Sequence, residues 1–419
     1  MHALATRLFP ICRSITGEGV RETLRIIKEY IPLTIHEVPT GTSAFDWMVP
    51  QEWNIRAAYI ADRKGDKIVD FRKNNLHVVG YSIPVNKTIS RAELEEHLYS
   101  LPDQPDAIPY ITSYYAPRWG FCMTHREREE LSDDTYHVYI DSDLKDGSLT
   151  YGEYVIPGKS EKEIFISTYV CHPSLANNEL SGPVVATYLA QWIASAPRKY
   201  TCRIIFIPET IGSLTYMSKN LEAMKKNVIA GFNLTCVGDD RIYSFLPSRN
   251  GGTLADRVAR SVLASKKISF DEYSFLDRGS DERQYCAPGV DLPVVSLMRS
   301  KYHTKGYPEY HTSLDDLTVI TPQGLQGSYE LHKACLEKLE GSEYYRVTSL
   351  GEPQLGRRGL YPTVSTKKSK ELVRDMVNVL AYADGLHDVS ELSSRTGISL
   401  ENIRPIINTL LSHGLVEAI

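Results

Sequence analysis

No apolar run in this 419-residue chain approaches the roughly 20 residues that a membrane-spanning helix needs. The first twenty residues hold no signal-peptide core, because Arg7, Arg13 and Glu18 interrupt them. Charge of one sign is not in excess either: 47 basic and 52 acidic residues leave a net charge of -5. That balance gives no electrostatic case for nucleic acid or an anionic membrane as partner. Paired cysteine spacings are missing. Cys12, Cys122, Cys171, Cys202, Cys236, Cys286 and Cys335 are odd in number and scattered, several in or beside apolar runs. They read as reduced core thiols of a cytoplasmic protein. Low-complexity tracts and internal repeats are absent as well. What is there, 42% hydrophobic and 24% charged residues, suffices for a large core and more than one domain.

Chemistry concentrates at three places. The apolar run Glu163–Val170 reads as a buried strand that ends on His172, and Asn177-Asn178-Glu179 carries a carboxylate to the start of a helix over Gly182–Ala196. Cys202–Pro208 is a second apolar run, delivering Glu209 just before Thr210-Ile211-Gly212-Ser213 opens another helix. Much later, His311 stands in the polar loop Tyr310-His311-Thr312-Ser313, ahead of a helix that begins near Thr321. Imidazole nitrogen and carboxylate oxygen both suit zinc, and ligands bind outside the carboxyl ends of strands in open α/β sheets. Metal-assisted hydrolysis needs fixed ligands, an open position for water, and a carboxylate that takes the water's proton. Taken alone, His172 is better read as a strand-end histidine bonded to backbone; the three strand ends together shift the balance towards a metal site.

These motifs, together with Gly279-Ser280-Asp281-Glu282-Arg283-Gln284-Tyr285 and Tyr307-Pro308-Glu309-Tyr310-His311, resemble the zinc aminopeptidase fold shared with the glutaminyl cyclases. More narrowly, nearly the whole chain resembles bacterial aminopeptidase-like proteins with an inserted domain and a carboxyl-terminal winged helix. The resemblance implies that His172 and His311 are metal ligands and Glu209 the general base. It also implies an aspartate bridging two zincs where this chain has Asn178, a second glutamate where it has Thr210, and a further aspartate where it has Thr235. Neither amide nor hydroxyl brings negative charge, so a single zinc on His172, Glu179 and His311 is expected, with Asp239 or Asp240 as an extra ligand. Glu179 is equally open to a helix-start role favoured by the dipole. Asp281, Glu282 and Arg283, with Tyr302 from the following loop, are the candidate substrate contacts; salt-bridged scaffolding remains an equal reading of that charge-dense stretch. His303 reads as a loop histidine.

The expected fold class is therefore α/β, a mixed and mainly parallel sheet flanked by helices. The core is expected over residues 1–44 and 127–350, starting with a helix across Glu22–Tyr30 and a strand at Leu33–Val38. A β-rich insert over 45–126 leans above the metal crevice, with most of its aromatics filling its own small core. After a connector at Gly356–Pro362, residues 351–419 outline a winged helix: helices Lys370–Ala383, Val389–Thr396 and Leu400–Ser412, then a strand at Leu415–Glu417. From Glu371 onward that segment has three arginines, no lysine and seven acidic residues, the wrong balance for phosphate contacts. Protein–protein contact, self-association included, or packing against the core is the better use for it. The activity expected is hydrolysis of an amide in an amino-acid or peptide substrate. A glutaminyl-cyclase-like transfer and a non-catalytic scaffold are the rivals, since a fold alone grants no activity.

Overall fold

The computed structural model describes residues 1–361 and 367–419, in two compact units, Met1–Leu336 and Glu337–Ile419. Pro362, the last residue of the connector read from sequence, lies outside the described residues.

The first unit is built on an eight-stranded sheet. Its centre is parallel: Tyr200–Ile207, Ser160–Tyr169, Val228–Leu234 and Val294–Met298 lie side by side and point the same way. Antiparallel strands flank them, Thr34–Pro39 and Ser148–Ile156 on one side and Tyr243–Leu246 on the other, with Phe270–Glu272 outermost. Ser160–Tyr169 is buried along its last seven residues, as a strand covered on both faces must be. The crossover helices Ser181–Ala194 and Ile211–Asn227 return the chain between parallel strands, the second passing over Ser160–Tyr169. Gly182 is required where the first of these begins, because a Cβ there would collide with the Leu234 carbonyl and the Thr168 hydroxyl. Every parallel strand therefore opens its carboxyl end onto one edge of the sheet, where the three motifs meet.

The insert is wider than the 45–126 stretch expected. Thr40 donates its backbone N–H to the Gly147 carbonyl at 3.0 Å, so the chain leaves and re-enters the core side by side. Between them Lys67–Asp70, Glu52–Ala61, Thr135–Lys145 and Val85–Ser90 form a four-stranded antiparallel sheet. Thr135–Lys145 alternates buried and part-buried positions like a core strand, and alternation does not say which sheet a strand joins. Trp119, Phe121, Tyr136 and their neighbours fill the insert's own core. Tyr110 and Tyr114 do not; they turn towards the sheet edge.

In the second unit Tyr344–Val347 pairs with both Asp384–Asp388 and Val416–Ala418. That pairing draws the strand into the winged helix and sets the division well before residue 351. Helices Lys367–Tyr382, Val389–Thr396 and Leu400–Ser412 pack on this ribbon around Leu392, Ile403, Ile407 and Leu410. Arg404, the single basic residue of the last helix, is paired with Glu343 at 3.0 Å. Among the described residues no helix is long and apolar enough to cross a membrane.

Gly182→Ala should lower the stability of the full chain by about 1–3 kcal/mol, because the colliding carbonyl belongs to a central strand and has nowhere to move. Urea unfolding of the variant beside the wild type measures it; an unchanged midpoint would show that helix and sheet are not in close contact there.

Candidate active site

His172 follows the strand Ser160–Tyr169 and is buried, and its Nδ1–H donates to Glu179 Oε2 at 2.9 Å. Glu179 sits in a single π-turn, Ala176–Leu180, ahead of the crossover helix. The turn is pinned by Asp315, whose carboxylate accepts from the backbone N–H of Asn177 and of Asn178 at 2.8 and 3.0 Å. Burial pushes Asp315 up to about 7 against the pull of those two donors. Behind Glu179 lies Arg13, with Nε 3.4 Å from Glu179 Oε1 and both side chains fully buried. Arg13 also donates to the carbonyls of His172 and Leu8 at 2.9 and 2.8 Å. Burial works against a charged His172, but the hydrogen bond and charge of Glu179 outweigh it and raise the imidazole's pKa.

With Nδ1 committed to Glu179, His172 presents Nε2 to the crevice, 3.8 Å from Glu209 Oε2. His311 comes in from the opposite side, its ring centroid 5.4 Å from that of His172, and its buried Nε2 has no hydrogen-bond partner. Burial, and then the neighbouring His172, hold His311 well below the usual imidazole range and so keep it neutral, the form that ligates. Its backbone is left-handed, φ +56°, and the insert holds it there. Tyr110 donates its N–H to the His311 carbonyl at 2.9 Å, Ser313 donates its own to Ile108, and Tyr310 stacks on the ring at 3.9 Å.

Glu209 is fixed just as tightly. Its N–H donates to Cys171 Sγ at 3.3 Å, and Thr210 beyond it adopts φ 64°, ψ -77°, a strained γ-turn closed by Ile211 N–H on the Glu209 carbonyl at 2.8 Å. Asp281 locks the turn by accepting from Thr210 N–H and from Ser213 Oγ, both at 2.8 Å. Burial raises the pKa of Glu209 while His172 and Arg283 pull it back; burial and then the charge of Glu209 push Asp281 up to about 7.

The residues present fit a cation between the two imidazoles. The two rings lie with centroids 5.4 Å apart, a carboxylate stands 3.8 Å from His172 Nε2, and His311 Nε2 is buried with no other partner. A tighter trio, Cys171, His172 and Glu179, has its ligand atoms within 4.8 Å of one another on the Nδ1 side. Its contacts are hydrogen bonds, burial raises the Cys171 thiol well above its usual range, and the Arg13 guanidinium beside Glu179 opposes a cation there. The Nε2 side is the better cradle. Glu179, expected as a ligand, accordingly stands behind His172, where a carboxylate orients a ligating imidazole.

Two of the three positions where the resemblance implies acidic ligands, Asn178 and Thr235, join a neutral network. Tyr169 Oη donates to the Asn178 carbonyl at 2.8 Å, accepts from Asn178 Nδ2 at 2.7 Å and lies 2.7 Å from Thr235 Oγ1. Asp239 is occupied by Asn177, Arg241 and Ser300, and Asp240 takes the Thr321 hydroxyl, so neither faces the imidazoles. Among the expected substrate contacts, Glu282 is spent on Gly279, Ser280, Asn233 and the Tyr302 hydroxyl, which makes scaffolding of both Glu282 and Tyr302. Asp281 holds the Glu209 turn. Arg283 alone of the four reaches open space, beside Glu209 in a cavity of about 210 Å³. His303 is exposed. Arg13, Tyr110 and Tyr169 escape the sequence reading, since only the aromatic density around Tyr110 gives any local signal.

Residues 2–342 match the family model described as a domain of unknown function, DUF4910, and residues 343–418 match a winged helix-turn-helix model. The chain belongs to the DUF4910 family. A relative from Clostridium acetobutylicum carries the provisional name of a polysaccharide biosynthesis protein with an aminopeptidase-like domain. It is 42% identical over 421 residues, covering 100% of this chain and 96% of its own. The crystal structure of a protein from the same organism, provisionally termed a peptidase, superposes with a TM-score of 0.83 at 42% identity, over 100% of this chain and 96% of that one. A zinc aminopeptidase of Bacillus subtilis matches the fold at 12% identity and a TM-score of 0.58, over 81% of this chain and 93% of its own. The DUF4910 chain is thus an aminopeptidase-like protein with a carboxyl-terminal winged helix, as its motifs imply.

Arg13→Met should destabilise this protein by about 3–5 kcal/mol, because it strands Glu179 in the interior without its cation. Adding Glu179→Gln should restore part of that loss. Urea unfolding of the two variants checks the coupling; additive losses would mean that Arg13 and Glu179 are energetically independent.

Proposed function

We propose that this DUF4910 protein is a zinc-dependent, aminopeptidase-like hydrolase that cleaves an amide of an amino-acid or peptide substrate, with one zinc per chain. The observation that carries the reading is the pair of imidazoles, His172 buried and His311 half-buried, with ring centroids 5.4 Å apart and Glu209 3.8 Å from His172 Nε2. His172 and His311 would hold the ion through Nε2, with Glu179 fixing the tautomer of His172 from behind. When bound, zinc polarises the amide carbonyl and acidifies a water in the open position. Glu209 takes the proton of the attacking water and delivers it to the leaving amine. A desolvated carboxylate with a raised pKa suits both transfers. Cys171 and the Thr210 turn hold that carboxylate in place without offering it a competing strong donor.

One metal rather than two is favoured by the neutral Tyr169, Asn178 and Thr235 network, which offers a second divalent ion no negative charge. A cytoplasmic setting is favoured by seven free cysteines, six of them buried. The acidic balance of the last segment, with Arg404 already paired to Glu343, favours protein contact or self-association over DNA for the winged helix.

Metal analysis of protein purified without added zinc should give close to one equivalent per chain. His172→Ala and His311→Ala should arrive metal-free, and Glu179→Gln should weaken zinc binding by roughly 10–100-fold. Glu209→Gln should keep the metal and lose turnover on an amino-acid amide, since a general base contributes only in the transition state. Metal-free Glu209→Gln protein would place Glu209 among the ligands, and two tightly held ions per wild-type chain would refute the single-zinc assignment.

A further inference from the structure

The cavity beside Glu209 has walls of one chemical kind and charges of both signs. Trp47, Tyr114 and Tyr115 come down from the insert, Ile211 faces them from the core, and Glu209 and Arg283 are its only charged groups. An enzyme that works at the amino end of a substrate must offer a carboxylate to an ammonium group. Among the described residues lining the cavity, none is placed for that. Glu209 has its own work, Asp281 is fully buried, with Oδ1 bound by the Thr210 turn and Oδ2 unpartnered but shut off from solvent, and both oxygens of Glu282 are taken by protein donors.

Arg283 is in the opposite situation. Its charge steadies Glu209 and Asp281 nearby, yet among the described residues it closes no ion pair with either, and it is half-exposed. Its Nη2 donates to Thr210 Oγ1 at 2.5 Å, and Thr210 is itself held by the γ-turn and by Asp281. The guanidinium is thereby aimed and immobilised before any ligand arrives, which lowers the entropy cost of using it. A fixed guanidinium that makes no direct bond to a carboxylate, at one side of an aromatic pocket, has donors left for a bidentate carboxylate.

We infer that the cavity takes a substrate by its carboxylate on Arg283, with an apolar side chain against Trp47, Tyr114 and Tyr115, so that the amide cleaved is that of an N-acylated amino acid. The inference rests on the amide-hydrolase reading of the same centre. In the reaction water adds across the amide: its oxygen bonds to the acyl carbon, the C–N bond breaks, and the proton taken by Glu209 goes to the nitrogen. A carboxylic acid and a free amino acid leave. The small volume, about 210 Å³, suits one amino-acid side chain and not an extended peptide.

The test separates binding from turnover. The full-length Glu209→Gln protein, loaded with zinc, is titrated calorimetrically with N-acetyl-L-leucine, its neutral carboxamide N-acetyl-L-leucine amide, and the cationic L-leucine amide. N-acetyl-L-leucine should bind about tenfold or more tighter than the neutral amide, and L-leucine amide weakest. Arg283→Met in the same background should abolish the difference, and Arg283→Lys should keep part of it; melting curves establish that each variant is folded, and the ranking of probes on the parent protein decides the matter if one is not. Tightest binding of L-leucine amide, no preference among the probes, or a preference that survives Arg283→Met overturns the inference. Carboxylate preference without hydrolysis of any probe by the wild type would instead sink the hydrolase reading and leave the receptor standing.

Discussion

The structure hangs on a buried row of charges, Arg13 to Glu179 to His172. A carboxylate with no solvent exposure survives only if its charge is met, and here one oxygen faces a guanidinium at 3.4 Å while the other takes an imidazole N–H at 2.9 Å. The row joins three pieces of chain at one buried point. Arg13 ties down the amino-terminal segment through the Leu8 carbonyl, Glu179 starts the crossover helix, and His172 ends a central strand. Its functional consequence is directional: with Nδ1 held as a donor, Nε2 is the nitrogen left for a ligand, and a cation arriving there competes with the proton that Glu179 favours.

The second constraint comes from the insert. His311 lies in a backbone conformation that costs a non-glycine residue of order 1–3 kcal/mol, and such strain persists only where the surroundings enforce it. Enforcement comes from the stretch Ile108–Tyr110, which bonds the loop on both sides of the histidine, and from Asp315, which returns the same loop to the Asn177–Glu179 turn. The inserted sheet therefore does more than roof the crevice. A shift of the insert relative to the core would move His311 away from His172, so the integrity of the site and the seating of the insert are one property of the fold.

How much of this could be read from the sequence depended on how local the signal was. Helices Val389–Thr396 and Leu400–Ser412 lie where their apolar spacing and their flanking Asp388, Gly397 and Ser399 place them. The strand ends carrying His172 and Glu209 were equally legible, because a continuous apolar run closed by a polar group marks a buried strand. The extent of the insert was not, since Thr135–Lys145 has the alternation of any half-buried strand. Nothing local marks Arg13, whose partner lies 159 residues on. The density of charge around Asp281 and Glu282 was open equally to a substrate contact and to scaffolding; both carboxylates are buried, Glu282 with both oxygens bonded and Asp281 held through Oδ1. Long-range pairing decides such cases, and a single sequence does not display it.

Charge accounting links the departures from the two-zinc pattern to the shape of the cavity. Where the resemblance implies three acidic ligands, this chain has Asn178, Thr210 and Thr235, so about three negative charges are gone from one edge of the site. A second divalent cation there would be left without compensation in a poorly hydrated crevice, at a cost far above what neutral oxygens return. Asn178 and Thr235 close instead on the Tyr169 hydroxyl, which fills the space with hydrogen bonds and no net charge. Thr210 closes on Arg283. The residue that stands in place of an acid thus steadies a cation next to the base, and that cation is the charge on which the inferred carboxylate site rests.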